Sequence, residues 1–165
     1  MSKETISVVY EKLDSIAGKG YYHETLLYTD ANGQQSLASS YPSARDVPIA
    51  SFGAHNVSQP LTANTSGDSS IYGILTTTVG PISNYSKEQK DGWLGAPTNP
   101  YPSEVVASGD DLSQQWAAID QANHQIGSEK LPYSPSTLNS NSAASTELAA
   151  AGISLPTDNG ISDDH

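Results

Sequence analysis

The sequence predicts a single α+β domain, in which a small antiparallel sheet carries two C-terminal helices. Two observations lead to this prediction. Segments rich in β-branched and aromatic residues occupy the first half of the chain, and the turn signal Asn32-Gly33 separates two of them. Apolar residues at helical spacing come late, after residue 110. We expect the domain to span residues 1–155 and residues 156–165 to form a mobile acidic tail.

The first half of the chain predicts the sheet. Residues 5–10 read as a strand, and a turn around Gly18-Lys19-Gly20 leads to a second strand over 21–29. Asn32-Gly33 predicts a two-residue hairpin turn with a return strand over 34–40. A further strand is expected over 71–79, whereas residues 42–70 and the proline-containing stretch after Gly80-Pro81 are expected to be loops.

The hairpin turn also predicts which residues face each other. A two-residue turn at Asn32-Gly33 places Leu27 opposite Ala38 and His23 near Pro42. His23 therefore lies at the far end of the hairpin from its turn.

The helices are predicted from capping residues and apolar spacing. Ser108-Gly109-Asp110-Asp111 offers a cap and first-turn acids, and Leu112, Trp116 and Ile119 follow at helical spacing. Gly127 is expected to end this helix. A second helix of very small residues is expected to begin at Asn139 or Ser140 and to end at Gly152.

Composition excludes several classes of protein. The formal net charge of −11, from 7 basic and 18 acidic residues, argues against a phosphate-backbone binder and predicts no nucleic-acid partner. The chain has no cysteine, which excludes disulfides, zinc–thiolate sites and a cysteine nucleophile. No apolar run reaches the length of a membrane-spanning helix, and no metal or other cofactor motif occurs.

The N-terminal residues bear on localisation. They lack the basic-then-apolar layout of a classical secretory signal. We expect a protein that is secreted or delivered by a signal-independent route, with the cytoplasm as the alternative.

Two segments that are far apart in the sequence contain candidate catalytic residues. The strand segment Gly20-Tyr21-Tyr22-His23 offers an imidazole, and Asn139-Ser140-Asn141-Ser142 opens the small-residue helix. A hydroxyl on the first turn of a helix is close to free backbone N–H groups, which can stabilise an oxyanion. Serine needs a base within hydrogen-bond reach to become a nucleophile.

In this order the two segments resemble the circularly permuted papain-like hydrolases and acyltransferases of the lecithin–retinol acyltransferase type, within the cell-wall amidase superfamily. The resemblance implies Ser140 as the nucleophile at the family's cysteine position and His23 as its base. N–H groups around Asn139 and Asn141 would then hold the oxyanion. A third residue would orient the imidazole, and the choice among Ser40, Ser43 and His55 is left open.

The resemblance further implies a substrate and a context. Cell-wall peptides or lipid acyl groups would be the substrates of a secreted bacterial effector, with an immunity or carrier protein as a further partner. Two alternatives stay open. One is a catalytically inactive binding module on the same fold, in which Ser140 serves only the helix terminus. The other is an interaction domain unrelated to papain.

Overall fold

The computed structural model describes residues 2–16, 19–43, 73–134 and 138–155. Over these residues the chain is an α+β domain with a five-stranded antiparallel sheet and three helices, which confirms the predicted class. Along the chain, the large sheet contains β1 Glu4–Ile16, β2 Lys19–Thr29, β3 Gln35–Pro42, β4 Leu75–Pro81 and β7 Ser103–Gly109. The short strands β5 Gly95–Ala96 and β6 Asn99–Pro100 form a small hairpin. The helices are α1 Lys87–Leu94, α2 Ser113–Ser128 and α3 Ser140–Ala150.

The strands of the large sheet follow the order β4-β3-β2-β1-β7, and neighbouring strands are antiparallel. Strands β1, β2 and β3 are therefore interior strands, with neighbours on both sides. Because side chains alternate along a strand, each strand contributes residues to both faces of the sheet.

The β2–β3 hairpin has a different register from the predicted one. Leu27 faces Leu37 and Leu26 faces Ala38, so the predicted pairing of Leu27 with Ala38 is wrong by one residue. The cause is the turn. The N–H of Asp30 donates to the carbonyl of Gln34 at 2.9 Å, so the loop contains three residues, and its last residue, Gly33, has a φ of 80°. A register shift of one residue moves every side chain of the shifted strand to the other face of the sheet.

One face of the sheet carries α2 and α3, and we call it the helix-pair face. Its core contains Ile6, Val8, Leu26 and Ala38 from the strands, all of which are buried. The helices add Leu112, Ile119, Ala144 and Leu148 to this core. The small side chains of Ala143 and Ala144, both buried, let α3 approach the sheet closely.

The opposite face carries α1 and the β5–β6 hairpin, and we call it the groove face. Trp93 of α1 is buried there and lies against the rings of Tyr41 and Tyr85, whose centroids are 6.5 and 5.1 Å away. This layer was not predicted. Its helix begins with a capping box between Ser86 and Gln89, a local signal that sequence reading overlooked.

Gly127 was predicted to end its helix, but α2 continues to Ser128. A Cβ atom at Gly127 would lie 2.3 Å from the Thr77 hydroxyl of β4. The glycine is therefore required for the close packing of α2 on the sheet. The expected acidic tail and His55 lie outside the described residues.

Candidate functional site

Ser140 is the first residue of α3, and Asn139 is its N-cap, as the capping pattern predicts. The Ser140 side chain is buried, with 4 % exposed, and its hydroxyl donates to the Asn141 side-chain oxygen at 3.1 Å. A catalytic serine must present its oxygen to a substrate and to a base. This hydroxyl is instead buried at the N-terminus of α3 and hydrogen-bonded to the Asn141 side chain.

The backbone N–H groups predicted to hold an oxyanion are engaged by the helix cap. The N–H of Asn141 donates to the Asn139 side-chain oxygen at 3.0 Å, and the N–H of Asn139 donates to the Ser142 hydroxyl at 3.0 Å. Together with the bond from the Ser142 N–H to Asn139, they form a reciprocal capping box. In this arrangement the N–H groups of Asn139 and Asn141 already serve the helix terminus, and their role as oxyanion donors stays a prediction.

His23 lies in β2 and is buried, with 8 % exposed. Its Nε2 shares a hydrogen bond of 3.1 Å with the Ser39 hydroxyl, which shares another of 3.1 Å with the Thr25 hydroxyl. Glu11 is the cross-strand neighbour of His23 in the β1–β2 register. Ser39 is itself buried within the sheet, with 2 % of the residue exposed. The two hydroxyls therefore hold the imidazole in position and do not present a nucleophile to solvent.

The sheet separates His23 from Ser140. His23, Thr25 and Ser39 lie on the groove face, because the intervening residues Leu26 and Ala38 point into the core beneath α3. Ser140 begins the helix that packs on the other face. The His23 imidazole and the helix that begins at Ser140 therefore lie on opposite faces of the sheet, and joint catalysis by the two residues stays a prediction.

Ser40 and Ser43 were expected to orient the imidazole, and both lie in the described part of the chain. Ser40 points to the helix-pair face, where its hydroxyl is buried and accepts or donates no hydrogen bond among the described residues. Ser43 forms hydrogen bonds with the backbone of Ile74. Ser39, which bonds to the imidazole, was missed because the predicted register was shifted by one residue.

Between α2 and α3 the structure shows a buried polar pair that the sequence analysis did not identify. Glu147 is 1 % exposed and accepts a hydrogen bond of 2.9 Å from the Asn123 side-chain amide. Burial raises the pKa of the Glu147 carboxyl to about 7, and the bond from Asn123 opposes that rise only in part. The signal was present in the sequence, since position 147 lies on the same helical stripe as Ala143, Ala144 and Leu148.

A groove of about 430 Å³ opens on the groove face, between the sheet and α1. Val9 of β1 and Leu27 of β2 line it, and the side chains of Lys87, Lys90, Asp91 and Tyr101 contribute polar groups. Its volume lies within the range of sites that bind small molecules.

Comparison of the chain with protein-family models, with curated proteins and with solved structures finds no match. Among the described residues, no cluster of three or more His, Asp or Glu side chains is arranged to hold a metal ion. No helix in the described part of the chain is long and apolar enough to cross a bilayer.

Proposed function

We propose that this chain is a binding domain in which Ser140 and His23 do not act together as a catalytic pair. The observation that carries the proposal is the position of these two side chains on opposite faces of the sheet. A general base must lie within hydrogen-bond reach of the proton that it removes, directly or through one water molecule. An intervening layer of strands does not allow this.

The helix cap supports the same proposal. The N–H groups of Asn139 and Asn141 are already bonded within the capping box, and the Ser140 hydroxyl is bonded to Asn141. Each of these groups therefore has a structural role that accounts for its presence without catalysis. The groove on the opposite face offers a separate place for a ligand.

The proposal includes the scaffold. An early histidine strand and a late small-residue helix on one sheet are in the order expected of a permuted papain-like domain, here without a working catalytic pair. Acyl transfer or hydrolysis of cell-wall peptides or lipid acyl groups stays a prediction, and it would need a base other than His23. Secretion as a bacterial effector likewise stays a prediction.

Labelling with a fluorophosphonate probe tests this proposal, because the probe forms a covalent bond only with an activated serine. We expect the wild type to be labelled no more than Ser140→Ala, and hydrolysis of an activated ester to be equal in the two proteins. A known serine hydrolase in the same reaction confirms that the probe is active.

The opposite result has a clear signature. An adduct that mass spectrometry locates on Ser140, and that is lost in both Ser140→Ala and His23→Ala, would overturn the proposal. Asn141→Ala serves as a matched control, since it removes the partner of the Ser140 hydroxyl while the serine itself remains.

A further inference from the structure

We propose that the groove binds a small apolar molecule that ends in a carboxylate, with the carboxylate at Lys90. This inference rests on the proposed binding function and names the ligand class. It is argued from the walls of the groove and from the charges at its rim.

The walls of the groove are mainly apolar, and they come from several elements. Val9 and Leu27 lie on β1 and β2, and Ile82, Leu94, Pro97 and Pro100 come from the layer that contains α1 and the small hairpin. Apolar surface at such a site favours a ligand that removes it from water. A groove of about 430 Å³ suits one small molecule better than a folded partner.

The charges at the rim favour an anionic end on that molecule. Lys87 is ion-paired with Asp91 one helical turn away. Lys90 lines the same groove, and no described residue forms an ion pair with it. An unpaired ammonium group beside an apolar wall is the group that a carboxylate would meet.

The negative net charge of the chain strengthens the preference for an anionic group at this groove over other parts of the surface. The net charge is −11 and the chain has only 7 basic residues, two of which line this groove together with one acidic residue, Asp91. Most of the surface therefore repels an anion, whereas the groove combines a positive group with apolar contacts. Ligands that have only one of these two features would bind more weakly.

Three probes with alkyl chains of similar length separate the contribution of the charged group from that of the apolar chain: octanoate, 1-octanol and octyltrimethylammonium. Each is titrated below its micelle concentration while amide shifts of the full chain are followed by NMR. We expect octanoate to shift the amides of Val9, Leu27 and Leu94 in a saturable way. We expect Lys90→Gln to weaken octanoate binding about tenfold, the usual effect of losing one charge-assisted hydrogen bond.

Controls distinguish the groove from general attraction between opposite charges. Lys3→Gln removes the same charge from an exposed position outside the groove and should leave the affinity for octanoate unchanged. Octanol should bind more weakly than octanoate, and octyltrimethylammonium should not produce saturable shifts at the groove.

Several results would overturn the inference. Octanoate that leaves the groove amides unshifted would do so, as would equal affinities for wild type and Lys90→Gln or equal binding of the cationic probe. These outcomes are independent of serine labelling. Labelling at Ser140 would overturn the binding-domain proposal, whereas failure of octanoate would overturn only the ligand class.

Discussion

Glu147 provides a quantitative test of the packing between α2 and α3. Its carboxyl is buried, and its pKa rises from the ordinary 4.5 to about 7 because burial disfavours the charged form. The unfolded chain releases this proton near pH 4.5, whereas the folded chain holds it until about pH 7. The folded state therefore loses stability as the pH rises between these two values, and the loss is complete above the folded pKa.

The size of the effect follows from the pKa difference. One unit of pKa corresponds to about 1.4 kcal/mol, so a rise from 4.5 to about 7 costs the folded state about 3 kcal/mol at high pH. Glu147→Gln removes the ionisation and keeps an oxygen that can accept the bond from Asn123. We expect the variant to be about 3 kcal/mol more stable than the wild type at pH 8.

Urea unfolding at pH 5 and pH 8, followed by tryptophan fluorescence, measures the difference. The lower pH stays above the isoelectric point of about 4.4, where the protein would be least soluble. Between the two pH values, the stability advantage of Glu147→Gln should grow by about 2 kcal/mol. Glu129→Gln, a change at an exposed glutamate, should show no comparable growth. The reasoning fails if the advantage of Glu147→Gln is the same at both pH values.

Three further predictions concern single contacts, each read by urea unfolding. Gly127→Ala should destabilise the fold by about 1–3 kcal/mol, because its Cβ would lie 2.3 Å from the Thr77 hydroxyl. The loss should be smaller in a Thr77→Ala background, and an equal loss in both backgrounds would contradict the clash. Asn139→Ala should cost about 1 kcal/mol through loss of the helix cap, and a change near zero would argue against the capping box. Ser39→Ala should cost about 1–3 kcal/mol, since it removes the hydroxyl bonded to His23; a neutral result would show that this bond contributes nothing.

Features that depend on neighbouring residues were predictable from the sequence. The start of α3 at Ser140 follows from the capping pattern of Asn139, and the strands on either side of Asn32-Gly33 follow from their composition. The class of the fold follows from the order of such elements. Helix α1, the β5–β6 hairpin and the edge strand β7 were missed, although Ser86 and Gln89 carry a recognisable capping signal, because prolines dominate that stretch.

The candidate site depended on a pairing that local patterns do not determine. Two-residue and three-residue turns are both compatible with Asn32-Gly33, but they differ by one residue in register. That single residue decides whether His23 shares a face with Ser40 or with Ser39.

The sequence by itself determined the α+β class, the hairpin and the cap of α3, because each depends on interactions between residues close together in the chain. Only the tertiary structure decided the face on which each side chain lies. The choice depends on burying Leu26 and Ala38 against Ala144 and Leu148, residues more than a hundred positions away. The same burial turns His23 to the opposite side of the sheet from Ser140.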